Sequence, residues 1–168
     1  MANNNMDVLK TKELQIEQLV PLWKERLEAG QKVQFSPKGI SMLPMLRQGR
    51  DCVQLALPPE QLKRHDIIFY RRDDGQYVLH RIIKTDEAGL VYTCLGDNQF
   101  VKEHGLRRDQ VIAIVTEFTR GKHRYSVTDS RYRLYCFLWH YSRPLRFRVC
   151  QALRKMFYYA KRLRTKGD

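Results

Sequence analysis

Acidic residues are scarce in this chain. Its 168 residues hold 18 Asp and Glu against 31 Lys and Arg, for a formal net charge of +13. A balance of that size excludes an acidic, solvating polypeptide and implies contact with something anionic, nucleic acid and an anionic membrane surface being the usual candidates. Long hydrophobic runs are missing too. No stretch of about eighteen apolar residues occurs, so the sequence predicts neither a transmembrane helix nor a cleavable signal. Cysteine is sparse: Cys52, Cys94, Cys136 and Cys150 show no paired short spacing and follow no secretory leader. They read as reduced thiols of a cytoplasmic chain, and no metal or cofactor is predicted. Internal repeats and low-complexity tracts are absent as well.

What is present divides into three stretches with room for one core. Residues 1–31 form an N-terminal helical segment, polar and frayed over its first seven residues. Leu14, Leu19, Trp23 and Leu27 then recur at spacings compatible with a helix or a helix pair, bent or restarted at Pro21, and Gly30 supplies the stop. Residues 32–127 change period. Short β-branched and aromatic runs around Val33, Val53, Ile67, Val78, Val91 and Val111 are separated by turn residues, which predicts a mainly β domain. The predicted fold class is a curved antiparallel sheet, barrel-like, with helices at the two ends. Asp74-Gly75 is a strong hairpin signal, joining the Ile67 strand to the strand that carries His80.

Residues 128–168 form a basic amphipathic tail. From Asp129 onward there are eleven Lys and Arg against two Asp, so +9 of the +13 lies here. Leu134, Phe137, Leu138 and Tyr141 fall at i, i+3, i+4 and i+7, and after Pro144 the set Leu145, Val149, Leu153, Met156, Phe157 and Ala160 continues at helical spacing. Such helices either cover the open side of the β domain or lie in a lipid interface with Arg and Lys on anionic headgroups. The second reading predicts a peripheral membrane contact through residues 129–168. The apolar interleaving argues against nucleic acid.

Chemistry concentrates between residues 39 and 103. Gly39-Ile40-Ser41-Met42-Leu43-Pro44 reads as a stiff turn, with a glycine that permits positive φ and a proline that fixes φ, presenting Ser41. A hydroxyl needs a base and a base gains from an orienting carboxylate. His80 and Asp97 supply those types downstream. The remaining histidines, 65, 104, 123 and 140, read as packed or solvent-facing.

Four ordered boxes carry a resemblance: Ser41-Met42-Leu43-Pro44, His65-Asp66-Ile67-Ile68, His80-Arg81 and Gly96-Asp97-Asn98. Over roughly residues 32–118 the chain resembles the S24/S26 serine peptidases, which include type I signal peptidases and the LexA-type self-cleaving repressors. His80 stands where bacterial signal peptidases have lysine, so the likeness is to the histidine-base branch. The resemblance implies Ser41 as nucleophile, His80 as general base and Asp97 as orienting acid. Glu103 is the alternate, since that branch tends to carry an acid shortly after the Gly-Asp box. Gly39 replaces a serine that often serves the oxyanion hole, which leaves oxyanion stabilisation to backbone N–H groups with Gly39, Met42 and Pro44 as turn support. Arg81, Gly96 and Asn98 support the site. The implied activity is a serine endopeptidase that cuts an extended peptide after small residues. Two other readings stay open: a non-catalytic membrane- or nucleic-acid-binding module on the same fold, and a LexA-type regulator that cuts itself at Ala29-Gly30.

Overall fold

A computed structural model describes residues 16–164, with side chains described to residue 158. The expectations for residues 1–15 lie outside this range. Helix α1 (Ile16–Glu28) is followed by strands β1 (Val33–Phe35), β2 (Cys52–Ala56), β3 (Ile67–Arg71), β4 (Tyr77–Thr85), β5 (Val91–Leu95), β6 (Glu103–Arg107), β7 (Val111–Arg120) and β8 (His123–Ser126). Helices α2 (Ser130–Tyr141) and α3 (Arg143–Arg164) complete the described chain. All strand pairs are antiparallel, in the order β1-β2-β7-β3-β4-β5-β6 with β8 on β7, and the sheet is not closed. The protein is thus mainly β with helices at its two ends, as its alternating pattern predicts.

The sheet buries both faces. On one, Phe69, Leu79, Val115 and Phe118 pack with Val20, Trp23 and Leu27 of α1 and with Tyr132 and Cys136 of α2. On the other lies a smaller cluster of Leu62, Ile68, Tyr70, Ile82, Tyr92, Cys94 and Leu106. Alternation along β3 and β4 therefore sends odd-numbered side chains to the first cluster and even-numbered ones to the second. This parity decides the site.

Both end helices fix details that spacing left open. Helix α1 is single and runs through Pro21, which lies on its exposed side, because Val20, Trp23 and Leu27 anchor it to the sheet on either side of the proline. Gly30, at φ +74°, ends it in the left-handed conformation. On α2 the apolar stripe picked out by spacing faces solvent, with Leu134, Phe137, Leu138 and Tyr141 all more than half exposed. The inward stripe is Tyr132, Tyr135, Cys136 and Trp139. Tyr132, Cys136 and Trp139 turn polar tips toward a buried ion pair in the sheet beneath α2, whereas the Tyr135 hydroxyl is buried without a partner.

Candidate active site

Ser41 sits in the long loop between β1 and β2. Gly39 takes a φ of +93° before it, and Met42, Met45 and Leu46 are buried after it, so the turn is pinned to the core from one side. Asp51 closes the loop by accepting from Arg47 N at 2.8 Å and Gly121 N at 3.3 Å. The Gly39 N–H donates to Gln48 Oε1 at 2.7 Å and is not an oxyanion donor in this arrangement. Gly39 therefore supports the turn only. The Ser41 N–H has no acceptor among the described residues.

The Gly96-Asp97-Asn98 box braces this turn. A Cβ on Gly96 would lie 2.7 Å from the Ser41 carbonyl oxygen, so only glycine allows the two loops to approach this closely. Asn98 donates from its backbone to the same oxygen at 2.8 Å and from its side chain to Ile40 O at 3.2 Å.

His80 lies on β4 and is almost fully buried. It and Ser41 line one cavity of about 230 Å³, together with Lys38, Gly39, Met42, Arg72 and Gln99. No direct hydrogen bond joins Ser41 to His80 among the described residues. Glu103 Oε1 is 3.0 Å from His80 Nδ1, and the Tyr70 hydroxyl is 3.2 Å from the same nitrogen. Tyr70 donates its one proton to Glu103 Oε2 at 2.5 Å, so it offers Nδ1 only lone pairs. Both neighbours of Nδ1 are acceptors. Nδ1 therefore carries the proton of the neutral ring, and Nε2 keeps its lone pair. Arg72 completes the cluster with a forked contact from Nε and Nη2 to the two Glu103 oxygens.

Burial holds His80 below the ordinary imidazole value, although the Glu103 charge pulls the other way. Burial alone would raise Glu103. The hydrogen bonds from Arg72 and Tyr70, with His80 nearby, outweigh it and hold the carboxyl below its usual range. Burial is also the first cause of the raised Tyr70 hydroxyl, followed by its bond to Glu103. In the same cross-strand row, burial pushes the Cys94 thiol up to about 12, which keeps it a neutral thiol.

Asp97 does not orient His80. Both of its oxygens are taken by Arg81, at 2.8 Å from Nε and 2.7 Å from Nη2. Strand parity is the reason. Arg81 pairs with Leu95, two residues before Asp97, whereas Ile82 pairs with Cys94 and Cys94 with Glu103. His80 shares the face of Ile82, so Glu103 falls on its side of the sheet and Asp97 on the other. Arg81 is nine-tenths buried or more and donates further to His65 O, Tyr132 Oη and Cys136 Sγ, while Trp139 Nε1 donates to Asp97 O at 2.9 Å. The inward stripe of α2 supplies these tips.

The structure thus brings Ser41 and His80 to one cavity, sets Glu103 behind His80 on its Nδ1 side, and assigns Asp97, Arg81, Gly96 and Asn98 to the brace beneath it. Tyr70 and Arg72 are members that sequence reasoning missed. A signal was present: the Asp74-Gly75 turn sets Ile68 opposite His80 and Tyr70 opposite Val78, which puts Tyr70 on the histidine's face. Compared with protein-family models, curated proteins and solved structures, the chain matches none.

Proposed function

We propose that the protein is a serine endopeptidase working through Ser41, His80 and Glu103. The observation that carries this is His80, with Nδ1 against a carboxylate and a tyrosine oxygen and its ring sharing a small cavity with Ser41. The likeness of the four sequence boxes to the S24/S26 serine peptidases supports the same reading. Ser41 Oγ attacks the scissile carbonyl as its proton passes to His80 Nε2. Glu103 remains a carboxylate and stabilises the imidazolium, and the Ser41 N–H faces the oxyanion. His80 returns the proton to the leaving amine, and water then hydrolyses the acyl-enzyme.

Substrate adds as a strand. β5 pairs with β4 only along Arg81–Thr85, so residues 77–80 keep one side of their backbone unpaired where they border the cavity. The volume beside Ser41 suits a small side chain. An adjoining hollow of about 480 Å³, lined by Leu19, Trp23, Phe35, Phe69 and Tyr77, offers an apolar subsite farther along an extended peptide.

A fluorophosphonate probe tests this reading. It is expected to label Ser41, with a rate that rises with pH as His80 loses its proton and levels off with a midpoint below about 6.5. Glu103→Gln removes a negative charge that favours imidazolium, so the midpoint moves lower still. The rate is expected to fall by about 10² to 10⁴, less than for loss of the nucleophile. Label on another residue, or a rate flat from pH 4 to 8, overturns the assignment.

The enzyme's place is at an anionic membrane surface. No helix among the described residues is long and apolar enough to cross a bilayer. Helix α3 leaves Leu145, Val149, Leu153 and Met156 at 45–67 % exposure along one face, and no acidic residue occurs from 143 to 164. The full-length protein is expected to sediment with vesicles of phosphatidylcholine and phosphatidylglycerol but not with phosphatidylcholine alone, and salt should weaken the binding. Val149→Glu with Leu153→Glu should abolish it. Equal binding to both vesicle types, or none to either, would sink the membrane reading.

A further inference from the structure

A second concavity, of about 670 Å³, opens where α2 meets α3 against the outer part of the sheet, away from Ser41. Arg64, Lys84, Lys102, His104, His140 and Arg143 line it, with Phe100 and Phe147 forming an aromatic wall at 5.0 Å between ring centres. No carboxylate lines it among the described residues. Four of these side chains, Arg64, Lys84, Lys102 and Arg143, are cations that repel one another, and a bound anion would offset that repulsion.

Two buried donors sharpen the case. Arg64 Nη2 lies 2.7 Å from His140 Nε2, and a guanidinium can only donate, so Nε2 accepts and the His140 proton sits on Nδ1. That Nδ1–H is buried without an acceptor, and so is the Nε–H of Arg143. Unmet buried donors on two adjoining side chains, the neutral His140 and the cationic Arg143, are costly, and an anionic acceptor that reached them would satisfy them. Burial, with Arg64 and Arg143 next, pushes His140 down to about 4, in keeping with a site that is electropositive before any ligand arrives.

We propose that this concavity is a binding site for a phosphate group, either of a soluble phosphate ester or of a phospholipid headgroup. Tetrahedral oxygens match the fork of Arg143 and the point charges of Lys84 and Lys102, and Phe100 and Phe147 leave an apolar flank for the rest of the ligand. The proposal goes beyond the peptidase reading and does not rest on it, since Ser41→Ala should bind phosphate as wild type does.

Calorimetric titration of the full-length protein with inorganic phosphate and with glycerol phosphate, at constant ionic strength set with chloride, tests it. Saturable binding is expected. The exposed double variant Lys84→Gln/Lys102→Gln should weaken it by about tenfold or more, and Arg143→Gln should do the same. Arg148→Gln, on α3 but outside the lining, should leave it unchanged. Vesicles containing phosphatidylglycerol form the second arm: if the pocket variants also weaken vesicle binding, the phosphate is a headgroup, and if only the soluble esters respond, it is a free ligand. Phosphate binding that chloride reproduces, or that the pocket variants leave intact, overturns the site.

Discussion

Ser41→Ala is expected to abolish peptide hydrolysis and covalent probe labelling while leaving the fold intact. Ser41 Oγ makes no hydrogen bond among the described residues, and the turn is held by Met42, Met45, Leu46 and the Asn98 contacts to its carbonyls, none of which needs the hydroxyl. The loss should be on the order of 10⁴ to 10⁶ in kcat, the range for a nucleophile acting with its base as a unit. His80→Ala should cost a comparable factor, and the double variant little more, because each member is idle without the other. The measurement is turnover of an extended peptide, with thermal unfolding run alongside. Full activity in Ser41→Ala, in a protein that unfolds like wild type, removes the proposed mechanism.

Asp97→Asn is expected to act on stability. Its partner Arg81 stays charged and nearly inaccessible to water, and its other contacts, to His65 O, Tyr132 Oη, Cys136 Sγ and Met45 Sδ, carry no formal charge. Breaking a buried pair by removing one partner costs about 3–5 kcal/mol, a large part of the 5–15 kcal/mol that is typical of a whole domain. Denaturant unfolding should show that loss. The same substitution made on an Arg81→Gln background should cost distinctly less, because the charge it strands is gone. The pH midpoint of Ser41 labelling separates the two acids. It should move more in Glu103→Gln than in Asp97→Asn, since Glu103 touches the ring whereas Asp97 has the weakest named influence on it. A larger shift in Asp97→Asn would return the orienting role to Asp97.

These two carboxylates show where a sequence stops being informative. Both follow His80 at plausible distances, and the glycine, aspartate and asparagine of the box made Asp97 the more prominent. Glu103 lies on β6, whose residues Glu103-His104-Gly105-Leu106-Arg107 are polar, carry a glycine and read as loop. That strand exists because β5 offers it an edge to pair with, a long-range contact with no local signature. The α2 helix makes a similar point. Its most hydrophobic stripe faces outward, while Tyr132, Cys136 and Trp139 on the inward stripe bond to the Arg81–Asp97 pair, a long-range demand that periodicity does not register.

By itself the sequence determined the mainly β class, the hairpin at Asp74-Gly75, the turn that presents Ser41 and the concentration of charge in the tail. Each of these rests on local physics: period-two alternation, the φ freedom of glycine, the φ restriction of proline and the count of ionised groups. Only the tertiary structure decided which acid meets His80, that Tyr70 and Arg72 belong to the cluster, that α2 turns its polar-tipped stripe inward and that six basic residues from five parts of the chain share one hollow. Those outcomes depend on strand register and parity, where a shift of one residue moves a side chain through the sheet to its opposite face.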